Sequence, residues 1–290
     1  MKLLRIFQME STDSQEMAAR QAKSSLGAVV LRGIHDYAAM AGGLLYWAIC
    51  GGVLTLISLP LYFLLPRRTG ERLGRTMLHG LFRSFVIYLR VTGLVRADLS
   101  GLDRLSMIKT PLIVAPNHHS LWDVVFLIAK LPRAICVMKE SILRNPVLGG
   151  GARLAGFIPN DSRTRMIRAA ISALRKDAQL LFFPEGTRTR PESRWINPLK
   201  GGCAIIATKS GVPVYPVFIR SDSRFLEKGW PLWKRPHFPI EMRIELGEPL
   251  FPARGESAAD FTLRLQQSFE SELAKNHPLR RQSERPDTTG

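Results

Sequence analysis

The sequence predicts an α/β domain, a mostly parallel sheet flanked by helices, with an N-terminal membrane-associated helical segment in front of it. Three observations carry this expectation. From about residue 100 onward, short apolar runs alternate with helical patterns, the signature of βα units. No charged residue occurs between Tyr37 and Leu65, and Arg67-Arg68 close that stretch. The chain is also basic, with 41 Lys+Arg against 24 Asp+Glu and a net charge of +17 over 290 residues. That balance favours anionic partners. The basic residues are spread widely, with no nucleic-acid-binding motif, so a phospholipid surface or a phosphorylated small molecule is expected and nucleic acid is not.

Four regions follow. Residues 1–36 are a polar leader, loosely ordered or helical. Residues 37–95 are membrane-anchoring helices. The uncharged part is long enough to cross a hydrocarbon core of about 30 Å, although its glycines and Pro60 leave open a kinked span or a re-entrant hairpin. Arg67, Arg68, Arg72 and Arg75 at its end place the rest of the chain on the cytoplasmic side of a membrane. Residues 71–95 repeat apolar side chains at helical spacing with arginines between them, suited to the membrane interface or to docking on the main domain. Residues 96–278 form the main domain, and residues 279–290 a disordered tail. Cys50, Cys136 and Cys203 are odd in number and far apart, so no disulfide framework or metal spacing is expected.

Within the main domain, Leu112 to Ala115 read as a buried strand, Ala134 to Met138 as a second and Gln179 to Phe183 as a third. Val212 to Ile219 form a β-rich segment, and Glu241 to Leu246 an edge strand. Helices are expected after Ser120, over Arg163 to Lys176, after Lys200, and over Phe261 to Lys275. Ser120 stands where a helix N-cap belongs.

The densest chemistry lies at Asn117-His118-His119-Ser120-Leu121-Trp122-Asp123. On one continuous helix His118 and Asp123 would point roughly 140° apart. With His118 in the loop and Asp123 in the first helical turn, the two can meet. Asp123 would accept the Nδ1 proton and leave Nε2 as a base. His119 is expected to turn away. Sixty residues on, Phe183-Pro184-Glu185-Gly186-Thr187-Arg188 ends a strand in a turn. There Gly186 admits close backbone approach, and Arg188 offers a fork of donors that matches a phosphate.

Together with Val212-Pro213-Val214-Tyr215-Pro216-Val217, these blocks resemble the glycerolipid acyltransferases, the 1-acyl-glycerol-3-phosphate acyltransferases and their lysophospholipid relatives. A further block has its counterpart in Lys139-Glu140, Pro146, Gly149 and Gly156-Phe157-Ile158-Pro159. Ser162 stands where an arginine usually closes that block, with Arg163 one step later. The resemblance implies transfer of a fatty acyl group from acyl-CoA or acyl carrier protein to a lysophospholipid hydroxyl at a cytoplasmic membrane, with no cofactor. It implies His118 and Asp123 as the catalytic pair, and Glu185, Gly186, Thr187, Arg188, Lys139 and Arg163 at the substrate. Three other readings stay open at this point. One is an HHxxxD transferase using His119, although Val124 replaces the usual glycine. The others are a metal hydrolase and a non-catalytic membrane-binding protein.

Overall fold

The computed structural model describes residues 2–176, 178–231 and 233–275, with side chains from Gly27 onward. The expected tail lies outside the described residues. The chain divides into two units, residues 1–42 and residues 43–290.

Helix α1 runs over Lys2–Leu64 without the turn a hairpin would need. Its segment Gly27–Leu64 is long and apolar enough to span a bilayer, and Leu56, Phe63 and Leu64 are at least 74% exposed. A soluble helix would bury such side chains. After a break at Leu65-Pro66, α2 spans Arg67–Val91 and buries Leu78, Phe82, Phe85, Val86 and Leu89 on one face. Within the second unit, α1 is tied down by polar bonds: Tyr46 donates to Leu81 O at 2.8 Å and Thr55 to Val147 O at 2.9 Å. A Cβ on Gly150 would lie 2.8 Å from Thr55 Cα, so only glycine permits that approach.

The remaining elements are β1 (Val95–Asp98), α3 (Asp103–Met107), β2 (Leu112–Pro116), α4 (Asp123–Lys130), β3 (Ala134–Met138), α5 (Glu140–Leu143) and α6 (Gly149–Leu154). They continue with β4 (Ile158–Pro159), α7 (Arg163–Leu174), β5 (Gln179–Leu181), α8 (Gly202–Ser210), β6 (Val214–Ser221), β7 (Ile240–Leu246) and α9 (Ala258–Ala274). Among the described residues the strands form one seven-stranded sheet in the order β1-β7-β6-β2-β5-β3-β4. Every neighbouring pair is parallel except β6 and β7. Strand β2 is central and buried at all five residues, which is why it reads as an unbroken apolar run rather than an alternating one.

Right-handed crossovers place α4, which leads from β2 outward to β3, on the face opposite α7 and α8, which lead back through β5 to β6. The packing agrees: α2 lies on α4 and α6, whereas α8 lies between α7 and α9. Helix α8 ends on Gly211 in the left-handed region (φ 71°), and the hydroxyl of Ser257 accepts from Asp260 N at the start of α9.

One expected strand is corrected. Glu241 to Leu246 is not an edge. Strand β1 pairs with it in parallel and takes the edge instead. The four residues of β1 sit directly behind a helix and carry too short an alternation to declare themselves.

Candidate active site

Parallel strands that share a carboxyl edge deliver their following loops to one place. Here β2, β5, β3 and β4 are consecutive in the sheet. The loops after β2, β5 and β3 carry His118, Glu185 to Arg188 and Lys139, and Arg163 opens the helix after β4, so residues up to 70 apart in sequence share one rim.

The turn after β2 brings His118 Nδ1 to 3.0 Å from Asp123 Oδ2. Asp123 is the first residue of α4 and fully buried. Its Oδ2 also accepts from Ser120 N at 2.7 Å, and Asp123 Oδ1 has no hydrogen-bond partner among the described residues. A carboxylate can only accept, so the imidazole carries its proton on Nδ1 and presents Nε2 with a free lone pair. The ring lies against Phe183, centroids 4.1 Å apart. Ser120 does not cap α4: its hydroxyl accepts from Trp122 N at 3.1 Å inside the turn, and the helix begins only at Asp123. His119 points elsewhere, with Nε2 donating to Ser223 O at 2.9 Å.

The two loops are stitched together through the main chain of His118. Its N–H donates to Glu185 Oε1 at 2.8 Å, and its carbonyl accepts from Thr189 N at 2.6 Å. Glu185, expected at the substrate, faces inward instead. It is 1% exposed, and its carboxylate also accepts from Asn197 N and from the Thr189 hydroxyl, each at 2.9 Å. Burial raises its pKa against the opposing pull of those bonds. Asn117 completes the frame by exchanging hydrogen bonds with Ile219 N and O on β6.

Gly186 is exposed with φ 68°, and Thr187 beside it is half-buried. Arg188 is half-buried. Its Nη1 donates to Leu226 O at 2.7 Å and to Glu227 O at 2.9 Å. Burial lowers its pKa while the charge of Asp123 raises it. Leu226 is the single non-glycine residue with positive φ (61°) among the described residues, and its carbonyl also accepts from Leu121 N. Lys139 and Arg163 are exposed on the rim. Sequence reasoning missed Thr189, Asn197 and the Leu226 carbonyl. Asn197-Pro198 is a turn signal that could have flagged one of them. Among the described residues no three His, Cys, Asp or Glu side chains converge as a metal site.

Residues 96–220 match the acyltransferase family model. The matched stretch resembles this family from β1 through β6. It is 30% identical over 139 residues to a chloroplastic 1-acyl-sn-glycerol-3-phosphate acyltransferase of Brassica napus, covering 46% of this chain and 40% of that protein. It is 25% identical over 213 residues to a 1-acyl-sn-glycerol-3-phosphate acyltransferase of Pseudomonas aeruginosa, covering 70% of this chain and 79% of that one. The match thus spans less than half the length of the plant relative and most of the bacterial one. The crystal structure of the 1-acyl-sn-glycerophosphate acyltransferase of Thermotoga maritima superposes with a TM-score of 0.62 at 21% identity, over 84% of this chain and 95% of that chain. The family match includes both the turn after β2 and the turn after β5.

Proposed function

We propose that this chain is a membrane-bound O-acyltransferase that moves a fatty acyl group from acyl-CoA or acyl carrier protein to the free hydroxyl of a lysophospholipid. The acceptor we assign is 1-acyl-glycerol-3-phosphate, which gives phosphatidate. The observation that carries the reading is the His118–Asp123 hydrogen bond of 3.0 Å beside the Glu185–Arg188 turn.

In this mechanism Nε2 of His118 takes the acceptor's hydroxyl proton as the oxygen attacks the thioester carbonyl. The tetrahedral oxyanion collapses, the C–S bond breaks, and the imidazolium returns the proton to the departing thiolate. Asp123 holds the ring and offsets its transient charge. Direct attack suits the site because, among the described residues, no side-chain nucleophile is poised there. Ser120 is buried and bonded into its own turn, while burial pushes the Cys136 and Cys203 thiols up to about 12. The apolar stretch of α1 would hold the enzyme in a cytoplasmic membrane, with the arginines at the start of α2 on the cytoplasmic side. Lys139 remains a candidate donor to the oxyanion or the acceptor.

The test is acyl transfer by His118→Ala, using radiolabelled acyl-CoA and 1-oleoyl-glycerol-3-phosphate with the full chain in detergent. A loss on the order of 10⁴-fold or more at unchanged circular dichroism is expected. Wild-type turnover by the folded variant would overturn the reading.

A further inference from the structure

We infer that the loop between β6 and β7 makes a second bilayer contact, with Trp233 at the headgroup level of an anionic membrane; this rests on the membrane-bound reading above. The root of the loop is fixed in the core, where Phe225 and Phe238 are 7% and 3% exposed. Its tip is the reverse, since Trp233 is 80% exposed. The tip is braced by its own contacts. Trp230 Nε1 donates to Lys234 O at 3.0 Å, Lys234 N donates to Pro231 O at 3.1 Å, and Lys234 Nζ lies 4.9 Å from the centre of the Trp230 ring. One exposed ring would mean little by itself. Here charge and place both select its occupant.

The charge is one-sided. Lys228, Lys234 and Arg235 are exposed around the tip, and no acidic residue occurs from Lys228 to Ile240. Glu227, just before them, is engaged by Arg224 Nε at 2.9 Å and lies 3.6 Å from His119 Nε2. Each such cation strengthens attachment to an anionic leaflet about fivefold, and an indole beside it settles at the interface. Aromatic rings lead from this tip to the apolar helix. Successive centroids lie 6.1 Å apart from Trp230 to Phe225, 5.1 Å on to Trp122, 6.4 Å to Phe85 on α2 and 5.0 Å to Trp47 on α1. Close to Trp47, α1 shows Leu44, Leu45 and Ile49, each more than half exposed. Further exposed apolar side chains border the loop. Leu121, 45% exposed, donates its N–H to Leu226 O, and Val91, 81% exposed, ends α2 just before Leu94, whose carbonyl accepts from Ile240 N. The root of the loop also supplies the Leu226 and Glu227 carbonyls that hold Arg188. A bilayer contact at the tip therefore sets the catalytic turn at the surface from which a lysolipid comes.

The test uses the full chain reconstituted in vesicles of phosphatidylcholine and phosphatidylglycerol. Trp233→Phe supplies the blank, so the difference in emission from wild type reports Trp233 against the remaining tryptophans. Phospholipid brominated just below the headgroup should quench most of that difference, and aqueous iodide little of it. Quenching by iodide alone, or by neither, would overturn the contact, since the ring would then face water or a second copy of the chain. Trp233→Ala should raise the KM for vesicle-borne 1-oleoyl-glycerol-3-phosphate about tenfold and leave the KM for a dispersed short-chain analogue unchanged. An equal rise for both acceptors would mark a structural role and overturn the contact as well. A protein that acylates neither acceptor, while bromine still quenches Trp233, would remove the reaction and leave the contact standing. Failure of the wild type to float with the vesicles would remove the membrane reading and the contact together.

Discussion

The turn after β2 and the outer rim of the loop after β5 are neighbours built on opposite plans. At the first, both main-chain groups of His118 are engaged, Asp123 takes a side-chain and a main-chain donor, and Asn117 is paired on both its amide atoms. At the second, Gly186 is exposed and the Lys200 side chain has no hydrogen-bond or ion-pair partner among the described residues, as is true of the side chains of Lys139 and Arg163 on the neighbouring segments. The difference teaches where this fold spends its hydrogen bonds. A base must be fixed before the reaction, whereas groups that meet a charged ligand are best left unsatisfied until it arrives. Glu185 is the hinge between the two plans: it stands in the sequence of the open turn but serves the closed one.

The comparison can be attacked at three depths. Asp123→Asn should cost most after His118 itself, with turnover falling about a thousandfold. An amide can present its NH₂ to Nδ1 and so invert the tautomer. Acyl transfer under single-turnover conditions measures this, and a loss below tenfold would mean that the ring does not depend on its partner.

Glu185→Gln comes next. Its amide nitrogen must face at least one of the N–H or O–H donors that now converge on the carboxylate, so a loss of about 1–3 kcal/mol in stability and a fall in kcat are expected, with little change in KM. Its pH dependence sharpens the point. Burial raises the folded-state pKa of Glu185 above its unfolded value. The folded protein therefore keeps this proton to higher pH than the unfolded chain. Stability from this group is present below the ordinary glutamate range, about pH 4.3, declines as pH rises through the raised value, and is level beyond it. Thermal melts of wild type and variant across that range should show the wild type losing ground as pH rises. A pH-independent gap would contradict the burial argument. A KM effect without a kcat effect would return Glu185 to the open rim.

His119→Ala should cost least, less than about tenfold, because its Nε2 is committed to Ser223 O. Loss as deep as that of His118→Ala would hand the base to the second histidine and revive the HHxxxD reading.

What could be read from the chain alone followed from periodicity and local spacing. The unbroken apolar run of β2, the five-residue step from His118 to Asp123, and the strand ending at Pro184-Glu185-Gly186 all lie within short windows. Long-range choices could not be read. Nothing near Glu185 shows that its carboxylate will be claimed by an amide 67 residues upstream, nor that the chain returns beside β1 and moves Glu241–Leu246 off the edge. The helix start was misplaced for a related reason. Ser120 has the composition of a cap, but the carboxylate of Asp123 reaches back to Ser120 N and delays the helix to its own position. The apolar stretch was recognised by its lack of charge. That its polar side chains Tyr46 and Thr55 would find their acceptors at Leu81 and Val147, far along the chain, could not be read from it.

Leu226 carries a last consequence. A leucine in the left-handed region costs on the order of 1 kcal/mol or more that a glycine would be spared. Yet its carbonyl is the joint between Arg188 and the main chain of Leu121, and its side chain is 6% exposed. A glycine would relieve that strain but surrender a buried leucine side chain worth about 1.5–3 kcal/mol, so heat resistance and a firm joint both favour the strained residue at this place in the chain.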